Sequence, residues 1–189
     1  MFTPATAEAP LPTPATVMAR MGRIAGEFDA LDTCHQQVLE TLDLLARLVE
    51  QLELKGVDAE VSALARQVHD FFAGTAHQHH VDEERLVFPP LLESGDEVLA
   101  GHVRRLKQDH FWLERDWREL DTQIDAIARG LSPTDPEALR LGVEIITALY
   151  LDHIDLEESL IYPQARRRLS ERANAGAARL QAQERHGDL

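Results

Sequence analysis

The chain has 189 residues, a formal net charge of −14, one cysteine and 44% apolar residues. That balance fits one soluble domain with a packed core, and the acidic excess argues against a nucleic-acid partner or an anionic membrane surface, which need clustered basic side chains. Cys34 alone allows no intrachain disulfide and no thiolate zinc knuckle, so a reducing, cytoplasmic setting is expected.

The opening M-F-T-P-A-T-A-E-A-P-L-P-T-P has neither the basic start nor the apolar run of a secretory signal. Its prolines make residues 1–16 a disordered arm. No apolar run reaches the length of about 18 residues that a membrane-spanning helix needs. A first helix is predicted from about Val17 to Lys55, stopped by Gly56, with Phe28, Leu31, Val38, Leu42, Leu45, Leu48 and Val49 on one face. Gly22 and Gly26 leave its first turns broken or separate.

The second helix starts after the N-cap Asp58 and reaches Val87, where Pro89 and Pro90 push Phe88 out of the helical region. A third runs from Asp96 to about Arg129, with Gly130 as its stop. The fourth follows S-P-T-D-P, with Asp135 as cap and Pro136 in the first helical position, and continues past Pro163 to Leu169. Residues 171–189 form a tail, helical or frayed. Long amphipathic helices with short links over residues 17–170 predict an all-α, antiparallel up-down-up-down four-helix bundle.

Within it lies a repeat. H-H-V-D-E-E-R-L-V-F-P (79–89) falls on H-I-D-L-E-E-S-L-I-Y-P (153–163) at an offset of 74, with five identities in eleven positions. D-T-C-H (32–35) falls on K-Q-D-H (107–110), placing His35 opposite His110. Each half therefore reads as a helix with a histidine, then a helix with His-x-x-x-Glu and an aromatic-Pro stop.

Residues four apart lie about 40° from each other around a helix, so His79 shares a face with Glu83, and His153 with Glu157. One such pair is ordinarily an exposed surface pair. Two in matching register, each behind a histidine-bearing helix, instead predict four imidazoles and two carboxylates converging in the interior. Two carboxylates can bridge two cations and offset their charge, while the imidazoles leave coordination positions open. Such donors, without sulfur, suit iron, manganese or zinc.

The doubled H…HxxxE pattern, with E-E-R-L-V-F-P and E-E-S-L-I-Y-P after it, resembles the hemerythrin-like family of HHE cation-binding domains over roughly residues 25–170. The resemblance implies two non-haem iron ions, oxo- or hydroxo-bridged, with His35, His79, His110 and His153 as terminal ligands and Glu83 and Glu157 bridging. Oxygen carriers of the family have a fifth histidine where this chain has Leu106, and Leu31 stands at the equivalent place in the first helix. Those carriers also space the last pair as HxxxxD, which keeps Glu158 open beside Glu157. The expected partners are dioxygen, peroxide, nitric oxide or iron itself, stored or detected by a binding module or consumed by an enzyme. Iron–sulfur repair proteins share the ligands but ordinarily carry a cysteine-bearing N-terminal segment, and a structural zinc or manganese bundle is the third reading.

Glu114, one turn after His110, reads as a surface or outer-layer carboxylate. His69, His77, His80 and His102 read as solvated, Cys34 as a buried structural thiol, and Phe88, Trp112 and Trp117 as packing residues. Tyr162 reads as core, with a hydrogen-bonding role beside a metal as its sharper alternative.

Overall fold

The structure, a computed structural model, describes residues 14–187. Every element among them is helical. Helix α1 (Pro14–Lys55) passes through Gly22 and Gly26 without interruption, where broken turns were expected. Most of the predicted arm lies outside the described residues.

Helix α2 (Ala59–Asp70) continues through a π-helical turn (Phe71–Ala76) into α3 (His77–Leu86). Its start is fixed as predicted: the Asp58 carboxylate accepts from the Val61 amide at 2.8 Å, satisfying one of the donors a helix N-terminus leaves free. A short α4 (Phe88–Leu92) follows. Here the expectation for Phe88 is corrected, because it is helical. The chain restarts a helix at Phe88, so Pro89 and Pro90 fall in the first turn, where their missing amides would have had no intrahelical acceptor.

Helix α5 (Glu97–Ala128) is capped by Asp96 onto Leu99 at 3.1 Å, and α6 (Pro136–Leu156) by Asp135 onto Ala138 at 3.0 Å. Gly56, Gly95 and Gly130 turn the links with φ of 72°, 75° and 85°, angles costly for any side chain. After α6 come a second π-helical turn (Glu157–Ile161) and α7 (Tyr162–Gly187), which carries the helix through the whole described tail.

Pro163 sits in helical backbone without breaking it. The Tyr162 amide bonds to the Glu157 carbonyl, five residues back. The turn is therefore already widened where the proline ring would otherwise strike the carbonyl four residues before it.

The long helices make four rods: α1, α2 with α3, α5, and α6 with α7. Helix α1 packs on α2, α6 and α7, α2 packs on α5, and α5 packs on α6. The apolar interior is divided in two. A larger cluster includes Val38, Leu45, Leu48, Val68, Phe72, Leu113, Trp117, Ile124 and Ile146. A smaller one holds Phe28, Leu31, Val87, Phe88, Leu91, Leu106, Ile161 and Tyr162. On every rod the predicted site residues stand between residues of these two clusters. Leu31 and Leu106, where a fifth histidine was sought, are buried members of the smaller cluster.

Candidate metal centre

His35, His79, Glu83, His110, His153 and Glu157 are all buried, none more than 5% exposed. α1 supplies His35, α3 supplies His79 and Glu83, α5 supplies His110, α6 supplies His153, and the second π-helical turn opens with Glu157. The donor atoms form two groups. His35, His79, Glu83 and Glu157 lie within 4.8 Å of one another, and so do Glu83, His110, His153 and Glu157. Both carboxylates belong to both groups. Glu83 turns Oε1 to His79 Nε2 at 3.4 Å and Oε2 to His110 Nε2 at 3.3 Å. Glu157 turns Oε2 to His35 Nε2 at 3.2 Å and His153 Nε2 at 3.3 Å, and Oε1 to His110 Nε2 at 4.0 Å.

Five of these atoms, Glu83 Oε2, His110 Nε2, His153 Nε2 and both Glu157 oxygens, make no hydrogen bond with a described residue. A buried polar atom without a partner costs about 1–3 kcal/mol. Several aimed at one small volume form a cradle that a cation would satisfy. Ligands about 2.1 Å from one ion stand about 3.4 Å apart at a tetrahedral angle and about 4 Å apart when opposed, which the 3.2–4.0 Å separations already match. Imidazole nitrogen and carboxylate oxygen, without thiolate, fit iron, manganese or zinc.

The charges are arranged accordingly. Burial disfavours ionisation of Glu83, but the imidazoles of His79 and His110 outweigh it and hold this carboxyl well below the usual range. At Glu157 burial wins, reinforced by the neighbouring Glu83 charge, and its carboxyl is pushed well above that range. The metal-free centre thus pairs a carboxylate with a carboxylic acid, and a bound cation would displace that proton. Burial lowers His79 to about 4 and also lowers His153, so both rings are neutral near pH 7 and keep a lone pair for coordination.

A second layer of contacts orients the rings. His35 Nδ1–H donates to Glu158 at 3.0 Å, and His110 Nδ1–H donates to Glu84 at 3.2 Å. Each bond fixes the tautomer whose Nε2 lone pair faces inward. Lys107 in turn holds Glu84 at 2.8 Å. Tyr162 stacks on His35 with centroids 5.2 Å apart, and Phe88 stacks on His110 at 5.6 Å. The Glu-Glu…aromatic segment of each half therefore serves the leading histidine of the other. The two stacked aromatic residues differ in a hydroxyl, for Tyr162 O–H donates to Glu83 and lies 3.2 Å from His35 Nε2. Asp109 Oδ2 stands 3.9 Å from His153 Nδ1.

Other expectations resolve as follows. Glu158 is half-exposed and grips His35 from outside, so it does not replace Glu157 in the converging set. Glu114 pairs with the exposed His77 at 3.2 Å. His69 bonds Asp121 at 2.7 Å, and His102 is half-buried. Trp117 packs against Phe72, whereas Trp112 is exposed beneath the Arg115 guanidinium. Reading His80 as solvated is wrong: it is 3% exposed and stacks on His110 at 4.2 Å. Its π-face covers that ring, which keeps it out of water. The orienting roles of Glu84 and Glu158 were also missed, though the doubled Glu-Glu at matching positions was their visible signal. A cleft of about 510 Å³, lined by Leu31, Cys34, Gly74, Thr75 and Leu86, opens onto His79.

Fold and site together define a helical bundle with an interior cradle of imidazoles and carboxylates suited to cations. The profile of the hemerythrin HHE cation binding domain matches residues 27–165, and the chain belongs to that family. It is 27% identical over 133 residues to an uncharacterized protein of Haemophilus influenzae, covering 70% of this chain and 75% of that one. It is 29% identical over 137 residues to the iron-sulfur cluster repair protein YtfE of Edwardsiella ictaluri, covering 69% of this chain and 59% of that protein. The YtfE of Pectobacterium atrosepticum is 28% identical over 139 residues, 70% of this chain and 60% of its own. The match thus spans about three-fifths of the repair proteins' length. No described helix is long and apolar enough to cross a membrane.

Proposed function

We propose that this chain holds a non-haem di-iron centre that binds, senses or reacts with a small ligand: dioxygen, peroxide or nitric oxide. Glu83 and Glu157 bridge two ions, with His35 and His79 terminal on one and His110 and His153 on the other. The rods run alternately up and down about a pseudo-twofold axis, a reading supported by the reciprocal Glu84–His110 and Glu158–His35 bonds. The observation that carries the proposal is that each buried carboxylate belongs to both donor groups, an arrangement a mononuclear site does not need.

Bound iron supplies redox chemistry and open coordination positions. The chain's own residues set the conditions. Glu84 and Glu158 aim the imidazoles, the Tyr162 hydroxyl offers a proton donor beside Glu83 and His35, and the cleft beside His79 gives a small molecule a route inward. The single, buried Cys34 suits a reducing, cytoplasmic compartment.

Purified protein should contain about two irons per chain and show ligand-to-iron absorption in the near ultraviolet after exposure to air. Colourless protein with stoichiometric zinc or manganese would instead support the structural reading. A second functional reading, iron-sulfur cluster repair, is favoured by the similarity to the YtfE proteins. Reactivation of an apo iron–sulfur enzyme by the iron-loaded chain tests it, while vacuum-reversible dioxygen binding would mark a carrier.

A further inference from the structure

His80 belongs to no part of the site described so far. Its donor nitrogen lies within 4.8 Å of one nitrogen each from His110 and His153, and all three rings are buried. Neither His80 ring nitrogen has a hydrogen-bond partner among the described residues. A stacking platform for His110 needs no nitrogen, because an apolar or aromatic side chain would serve without the cost of burying polar atoms.

The position also breaks the internal likeness. By the alignment that pairs His79 with His153, His80 faces Ile154, a buried apolar residue. On the opposite side of the centre the break is the Tyr162 hydroxyl, which has Phe88 as its counterpart. Each candidate metal position thus has a polar group whose counterpart in the other half is apolar: His80 near His110 and His153, and the Tyr162 hydroxyl near His35 and Glu83.

We infer that His80 supplies a third imidazole nitrogen to the metal held by His110 and His153, so that the two metal positions are unequal, one with three imidazoles and one with two. This rests on the dinuclear reading above. It places the extra nitrogen one residue after a ligand on α3, rather than at Leu106 on α5.

The test titrates metal-free wild-type, His80→Leu and His80→Gln proteins with cobalt(II), followed by calorimetry and visible absorption, and records each metal-free melting temperature. Wild type should bind two ions with distinct spectra. In both variants the affinity for one ion should fall on the order of tenfold to a hundredfold, with its absorption bands changed and the other ion's retained. Metal-free His80→Leu should melt at the same temperature or higher, because an unpartnered polar ring has been replaced by an apolar side chain. If wild type binds two ions and both variants bind them within twofold of it, His80 is a packing residue and the inference is overturned. A lower melting temperature with unchanged affinities has the same meaning. A wild-type chain that binds fewer than two ions overturns the dinuclear reading, and this inference with it.

Discussion

Glu84 and Glu158 touch no candidate metal position, yet each fixes which nitrogen of a facing imidazole is free. Replacing either with glutamine keeps the shape and removes the charge that favours an Nδ1–H tautomer. Glu84→Gln and Glu158→Gln should therefore each weaken metal binding about 10–100-fold without abolishing it, as read by competition with a chromogenic chelator. Tyr162→Phe preserves the stack on His35 and removes the donor to Glu83. In metal-free protein that should cost about 1–3 kcal/mol in denaturant titration, and less once bound cations compensate the carboxylate. Cys34 is held as a thiol by burial and then by the Glu83 charge, its pKa pushed up to about 11. The reactive thiolate forms only as pH rises towards that value. Alkylation of the native chain should therefore be slow at pH 8, accelerate with rising pH and become fast on unfolding.

At this scale the sequence was informative where a residue had a partner in the other half. His79 and Glu83 were separated from their crowded neighbours because His153 and Glu157 repeat their spacing. The same comparison misled at His80, whose counterpart Ile154 has no chemistry to suggest burial of an imidazole. Glu158 was kept open as a ligand by the HxxxxD spacing of the family's oxygen carriers, and spacing along one helix could not show that its side chain reaches across to α1.

Among the elements, the caps at Asp58, Asp96 and Asp135 and the stops at Gly56 and Gly130 were legible because they are local signals, each satisfied within a few residues. The π-helical turns were not, since no residue type marks them. The second one immediately precedes Pro163, which the predicted helix passed through without any sign of a widened turn. Its consequence is testable. Pro163→Ala lets the backbone return to regular α-helical pairing, which would rotate Glu157 relative to the residues after it. Metal affinity should fall, while metal-free stability should be no lower and up to about 3 kcal/mol higher, measured by chemical denaturation alongside metal titration.

Across the whole molecule, a layer of unsatisfied polar groups separates two apolar clusters. Bound ions would convert that layer from a cost into a bond between them. A ligand at 1,000 times its dissociation constant stabilises a fold by about 4 kcal/mol. Chelation should accordingly lower the melting temperature, in proportion to ion occupancy rather than to ionic strength. The all-helical class was readable from the scarcity of strand signals and from the amphipathic spacing. The division of the core was not, because it emerges only when the four rods are set side by side.

The π-helical turns bear on motion as well. α1 and α5 cross the polar layer as regular helix, whereas the other two rods carry widened turns at Phe71–Ala76 and Glu157–Ile161. Breathing of the emptied protein should therefore be one-sided. Amide hydrogen exchange ought to quicken at those two turns on chelation while the amides around His35 and His110 stay slow, making one pair of rods the fixed jaw and the other the moving jaw by which ions enter and leave.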